Sequence, residues 1–248
     1  MNLEIFSKSD LDNLGIQHTM QPYRVHVEGN IACGKTTLLR SFEEIGDFTV
    51  LLEPVDEWQT MGFAEYSPNL LKKFYQDPKK YAEAFQQVVM GSYIPIHDFE
   101  APTAIKIMER SMHSSVIFRH VLVSQNILTA QQDAQLHSQY RQLCSTSTDA
   151  DLVLYLRSNP AKCLERLNAR NRDGESEVTL DYLTHLHLAH EEWVYSSPFP
   201  VIAISVEDSI QETRQRAISA IFRTFAETRI RTHAPSILSS VTITEHHE

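Results

Sequence analysis

Near the start of the chain, Gly29, Gly34, Lys35 and Thr36 satisfy the pattern G-x-x-x-x-G-K-[ST]. The chemistry these residue types serve is the holding of a polyphosphate. Glycines permit backbone angles and close approaches that a Cβ forbids. The N–H groups of such a loop converge on phosphate oxygens, and the positive end of a following helix reinforces them. Lys35 would reach the β- and γ-phosphates, and the Thr36 hydroxyl would ligate Mg²⁺. The full loop runs Gly29, Asn30, Ile31, Ala32, Cys33, Gly34, Lys35, Thr36, Thr37. Cys33 has no neighbouring His or Cys partner and reads as a small filler.

Such a loop works only between a strand and a helix, and the flanks supply both. Tyr23, Val25 and Val27 alternate with Arg24 and His26, a period of two that reads as a strand. Leu38, Leu39 and Phe42 then follow at helical spacing. The alternative, an ordinary glycine turn before a helix, does not account for the lysine and threonine placed at its end.

The chain of 248 residues is long enough for one large α/β domain, and 42% apolar residues suffice for a sizeable core. No apolar run approaches a membrane span. A formal charge of −10 argues against a general nucleic-acid binder while leaving room for a small anion in a local basic pocket. Cys33, Cys144 and Cys163 are far apart, suggest neither a disulfide framework nor a zinc site, and fit a reducing compartment. Residues 1–20 have little pattern and read as a loosely held arm. Glu4, Asp10 and Asp12 give that stretch an acidic character unlike a transit peptide, so a cytoplasmic address is expected.

Along the chain, Thr49–Leu52 is a short β-favouring run ending at Glu53-Pro54. Proline biases Glu53 away from helix, placing its carboxylate at the carboxyl end of a strand, the edge that faces the ligand crevice in open α/β sheets. Asn69 to Tyr93 is helical, broken at Asp77-Pro78, with Pro78 opening the second helix. Ala104–Met108 reads as a strand ending in Glu109-Arg110-Ser111. Val116–Leu128 and Gln131–Cys144 read as helices, and Asp151–Leu156 as a strand buried on both faces. A helix after Pro160 leads into a cationic cluster, Arg166, Arg170 and Arg172. Thr179–Trp193 is a helix, Pro200–Ile204 a strand and Ile210–Arg229 a helix. Residues 233–248 read as a disordered tail. Alternating strands and helices behind a phosphate loop predict an α/β doubly wound parallel sheet of about five strands.

The segments G-N-I-A-C-G-K-T-T, E-P-V-D-E-W, F-Y-Q-D-P-K-K-Y-A-E-A-F-Q, I-M-E-R-S and E-R-L-N-A-R-N-R-D-G-E-S-E occur in that order. Together they resemble the deoxyribonucleoside kinases over roughly residues 23–193. The resemblance implies a kinase domain over 21–232 that uses ATP and Mg²⁺ to phosphorylate the 5′-hydroxyl of a deoxynucleoside, thymidine or deoxycytidine above all, in nucleotide salvage. It implies that Glu53 is the general base, that Glu109 lies near Mg²⁺ and that Arg110 lies near the 5′-oxygen. Gln86 would read the base, Tyr75 and Glu175 would hold the 3′-hydroxyl, and Trp58 and Phe85 would wall the pocket. Arg166, Arg170 and Arg172 would form a lid over the ATP phosphates. A homodimer and feedback inhibition by a deoxynucleoside triphosphate are implied as well. The bland readings are a salt bridge for Glu109 and Arg110, core packing for Phe85, and a solvated helix face for the arginines.

The chain departs from the family pattern at two places. Asn168 stands where several relatives carry an arginine. After Ser111 the family has an Asp-Arg-Tyr or Ala-Arg-Tyr triplet followed by a base-stacking Phe, whereas here Ser115-Val116-Ile117-Phe118-Arg119 puts Phe118 one position from that aromatic. His185, His187 and His190 do not share a helix face, so they read as separate histidines, not as a metal site. The alternatives weighed against a nucleoside kinase are a thymidylate kinase, which needs extra cations for its acceptor phosphate, and a non-catalytic relative. Intact Lys35, Thr36, Glu53 and Glu109 speak against the latter.

Overall fold

The structure, a computed structural model, describes residues 21–60, 69–144 and 149–238. Its centre is the strand β1, Tyr23–Gly29. Tyr23, Val25 and Val27 point into one layer of the core, 2%, 0% and 0% exposed. On the other face His26 and Glu28 are buried too, so the alternation marks two covered faces and not an inside and an outside. β1 pairs in parallel with β3 (Ile105–Glu109) on one side and β4 (Leu152–Arg157) on the other. β2 (Phe48–Leu51) and β5 (Val201–Ser205) complete a five-stranded parallel sheet in the order β2-β3-β1-β4-β5.

In this order every strand delivers its carboxyl end to one edge. The chain leaves β1 toward β2 but leaves β3 toward β4, so the direction of travel reverses between neighbouring strands. A crevice opens at such a point. Into it run the loop after Gly29, the turn at Glu53 and the Glu109-Arg110 end of β3.

Helices cover both faces: α1 (Lys35–Arg40), α2 (Val55–Thr60), α3 (Leu70–Gln76), α4 (Pro78–Asp98), α5 (Met112–Ser124), α6 (Ala130–Leu143), α7 (Pro160–Arg170), α8 (Leu180–Tyr195) and α9 (Ile210–Leu238). Local sequence sets most of their starts. Asp77 caps α4 through Lys80 N, and Pro78 occupies the first turn, where its missing N–H costs nothing. Ser111 and Ser114 form a capping box for α5, as Thr129 and Gln132 do for α6. That box explains why α5 begins at Met112 and not at Val116. Asn126, at φ 55, ends it before the expected Leu128, as the chain doubles back to bond Leu122 O.

Three helices run past their expected ends, α8 by two residues to Tyr195. α4 continues through Pro95 to Asp98, and α9 extends to Leu238, not Arg229. α9 is anchored on the sheet by edge-to-face packing of Tyr23 on Phe225 and stacking of Phe48 on Phe222, centroids 5.5 and 5.3 Å apart. The expected arm over residues 1–20 and most of the expected tail lie outside the described residues. No helix among the described residues is long and apolar enough to cross a membrane.

Candidate active site

The crevice is a cavity of about 670 Å³, within the range of small-molecule sites. The phosphate loop forms one end. Gly29 has φ +149, and a Cβ there would lie 2.7 Å from Leu156 O and 2.8 Å from Cys33 Sγ, so only glycine fits between the loop and β4. Ile31, Ala32, Gly34, Lys35, Thr36 and Thr37 reach the cavity wall. Asn30 and Cys33 turn away from it. The Asn30 amide donates to Leu183 O of α8 (2.8 Å) while its Oδ1 accepts from Ile31 N (2.8 Å), and Cys33 is fully buried as a filler. Lys35 Nζ donates to the loop carbonyls Asn30 O (2.8 Å) and Gly29 O (3.2 Å), bracing the turn it would share with a phosphate.

Thr36 Oγ1 donates to Glu109 Oε1 at 2.7 Å. Among the described residues no cluster of three His, Cys, Asp or Glu side chains could hold a metal. A Thr hydroxyl and one carboxylate beside a phosphate loop nevertheless fit Mg²⁺, which takes hard oxygen donors, keeps several waters and leans on substrate phosphates.

Next to Glu109 stands a buried charge group. Arg110 is 3% exposed with φ 64, a left-handed conformation at the end of β3. It is held by its N–H on Val27 O (3.0 Å). Its Nε lies 3.2 Å from Glu53 Oε1, Nη1 lies 3.9 Å from Glu28 Oε2, and the guanidinium covers the Phe118 ring at 4.8 Å. Burial alone would favour discharging Arg110, but Glu53, Tyr93 and Glu28 outweigh it, and its pKa stands above the ordinary value. Glu28 is fully buried and accepts from Ser111 and Ser114. Burial raises its pKa, while Arg110 and the two serines pull it back down.

The third wall is aromatic. Trp58 meets Phe85 edge-to-face at 5.7 Å and donates from Nε1 to Ser92 Oγ (3.1 Å), and Phe85 stacks on Phe74 at 4.8 Å. Tyr75, Phe85 and Gln86 line the cavity together. Gln86 is 3% exposed, and its buried Oε1 has no partner among the described residues. A buried carbonyl oxygen without a donor is costly, which suits a side chain waiting for a ligand donor.

The cationic cluster divides in two. Arg166 donates to Cys33 O (3.1 Å), Ser158 Oγ (3.4 Å) and Val206 O (3.0 Å). Arg170 and Arg172 both reach Glu175, at 2.6 and 3.3 Å. Asn168 is exposed on α7. The segment carrying Glu175 is pinned from outside, since Lys72 Nζ and Asn69 Nδ2 bond the Asp173 carboxylate at 2.9 and 3.1 Å. The three histidines of α8 diverge: His190 is buried with Nδ1 on Leu186 O (2.6 Å), while His185 and His187 lie against Asp181 and Glu191.

The expected side chains Lys35, Thr36, Glu53, Trp58, Tyr75, Phe85, Gln86, Glu109, Arg110, Phe118, Arg166, Arg170, Arg172 and Glu175 therefore converge on one cavity. Two charged or polar participants were not foreseen. Glu28 sits at the end of β1, hidden in what reads as an ordinary strand. Tyr93, whose hydroxyl donates to Glu53 Oε1 at 2.8 Å, carried a signal: with Gln86 and Val89 it falls on one face of α4.

The model of the deoxynucleoside kinase family matches residues 25–227. The chain is 35% identical over 183 residues to thymidine kinase 2, mitochondrial, of Macaca fascicularis, covering 71% of this chain and 66% of that protein's length. It is 34% identical over 201 residues to the thymidine kinase of Ictalurid herpesvirus 1, covering 79% of this chain and 85% of the relative. To deoxycytidine kinase 2 of Gallus gallus it is 30% identical over 205 residues, 72% of this chain and 76% of the relative. A match that takes in the phosphate loop, the buried charge group and the arginine cluster alike shows that the chain belongs to the deoxynucleoside kinase family.

Proposed function

We propose that the protein transfers the γ-phosphoryl group of ATP to the 5′-hydroxyl of a deoxynucleoside, yielding the monophosphate and ADP. The observation that carries this reading is the pairing of Glu53 with Arg110 in the cavity that the phosphate loop also lines. A carboxylate there is placed to take the proton of a primary alcohol, and the guanidinium beside it to balance the charge that develops on the oxygens. The loop amides and Lys35 would hold the donor phosphates, with Arg166, Arg170 and Arg172 closing over them. Thr36 and Glu109 would hold Mg²⁺, which when bound supplies charge neutralisation between the transferring phosphates.

On the acceptor side Gln86 would read the base edge, with Trp58, Phe85 and Phe118 as walls, and Tyr75 and Glu175 would take the 3′-hydroxyl. The relatives' names put thymidine and deoxycytidine first among acceptors. A thymidylate kinase is less well supported, because Arg110, the cation beside the acceptor, is already matched by Glu53 and Glu28. We further assign a cytoplasmic address and a homodimer, which fractionation and light scattering test. Exposed Leu188 and Tyr195 on α8 offer apolar surface for such a contact.

The deciding experiment is a coupled ADP-release assay at fixed ATP with the four natural deoxynucleosides and thymidylate. Turnover on at least one nucleoside is expected. Turnover on thymidylate alone, or nucleotide binding with no turnover on any acceptor, overturns the proposal.

A further inference from the structure

Glu53 does not present two equivalent oxygens to the cavity. Tyr93 Oη donates to Oε1 at 2.8 Å, and Arg110 Nε lies 3.2 Å from the same oxygen. The main chain at Glu53 is steadied separately by its N–H on Glu109 Oε2, at 3.5 Å. Tyr93 is 1% exposed, and its ring is fixed within α4, the helix that also carries Gln86.

We propose that Tyr93 is a positioning residue for the base: with Arg110 it occupies Glu53 Oε1 and so reserves Oε2 for the acceptor hydroxyl. This rests on the assignment of Glu53 as general base. In the transfer, the O5′–H bond breaks and its proton passes to Glu53 Oε2. A lone pair of O5′ forms the bond to the γ-phosphorus, and the bond from that phosphorus to its bridging oxygen breaks, its electron pair leaving on ADP. A carboxylate free to rotate would offer either oxygen at a range of angles. One held by two donors on a single oxygen offers the other in one orientation, and small misplacements are costly at a reacting centre.

Burial first, and then the charge of Glu53, push the Tyr93 phenol well above its ordinary pKa, so it remains a donor throughout the working range. Gln86 and Tyr93 stand about 10 Å apart along one rigid helix. The contact to the nucleobase and the contact that aims the proton acceptor are thereby set on one ruler. The titratable groups facing Glu53 are Tyr93 on α4, Arg110 and Glu109 at the end of β3, Tyr75 on α3, and Glu28 on β1 acting through Arg110.

The test is the split between kcat and KM for Tyr93→Phe, which keeps the ring and removes the hydroxyl, alone and combined with Glu53→Gln. We expect kcat to fall about tenfold and the nucleoside KM to change less than about threefold. An unchanged kcat, or a loss carried wholly by KM, overturns the proposal and leaves Tyr93 as a pocket wall. Should that variant fold poorly, Tyr93→Met, which fills the site without a donor, must show the same loss in kcat; an unchanged kcat overturns the proposal. In a Glu53→Gln background, adding Tyr93→Phe should cost nothing further, and a full additional loss counts against it. Wild-type turnover by Glu53→Gln alone would remove the base assignment itself, whereas an inactive Glu53→Gln with an undiminished kcat in Tyr93→Phe removes only the positioning role.

Discussion

Gly174→Ala tests how the segment that carries Glu175, the proposed partner of the acceptor's 3′-hydroxyl, is placed. Gly174 has φ +92, and a Cβ there would stand 2.7 Å from Lys72 Cα and 2.8 Å from Lys72 Cβ. Both atoms belong to a backbone or its root in α3 and cannot swing aside. Relief to an ordinary contact of 3.4 Å therefore demands about 0.7 Å of movement between that segment and α3. The dihedral strain adds about 1–3 kcal/mol. With about 2 kcal/mol lost, Tm should fall by about 4–8 °C. The exposed Lys72–Asp173 ion pair, worth about 0–1 kcal/mol, cannot hold the segment against that strain. The functional cost should exceed the stability cost, because the residue displaced alongside is Glu175, the proposed partner of the 3′-hydroxyl. A shift of this size at a positioning group costs about ten- to a hundredfold in kcat/KM. The assay compares kcat/KM for thymidine with that for the same nucleoside lacking its 3′-hydroxyl. Wild type should favour the hydroxylated substrate, and Gly174→Ala should narrow the ratio by about tenfold. A variant that is folded, less stable and undiminished in that ratio would refute the link between the Gly174–Lys72 contact and sugar recognition.

Three further outcomes are expected. Glu53→Gln should keep nucleoside binding and lose about two orders of magnitude or more in turnover, read by pairing calorimetry with steady-state rates. Gln86→Leu should reorder the four deoxynucleosides by kcat/KM while KM for ATP stays within about twofold; an unaltered order would assign base reading elsewhere. Burial, then neighbouring cationic groups, push His26 well below its ordinary 6.5 and hold His190 at about 3. The unfolded chain then binds more protons than the folded one below about pH 6.5, so stability falls as the solution is acidified. The loss is about 1.4 kcal/mol per pH unit for each histidine. Urea unfolding at pH 7.5 and 5.5 should show it, and His190→Gln should flatten its share; an equal pH response in that variant would count against the assignment.

The parts of the architecture written in local chemistry could be read directly. Gly29 and Gly34 with Lys35 announced the phosphate loop, Asp77-Pro78 the break between α3 and α4, and the apolar run at Leu152 a strand covered on both faces. What escaped depends on partners distant along the chain. Val116 looked like a helix start until the Ser111–Ser114 box was seen to begin it earlier. Glu28 reads as an outward strand residue unless Arg110 and two serines are known to meet it. Phe118, out of step with the family's aromatic, still arrives in the cavity because Arg110 lies over its ring. Tyr93 and Glu53 belong to different elements, and only the folding of α4 across the end of β2 joins them.

Arg166 has a consequence for how this protein can change. Its one guanidinium fastens the phosphate loop, the exit of β4 and the residue after β5. The three acceptors are spread as a planar fork can meet them and a single ammonium cannot. A lysine there would conserve the charge and release the rivet. The proposed grip on a nucleotide and the mechanical integrity of its cradle would thus be vested in the same side chain, and neither could be tuned without disturbing the other.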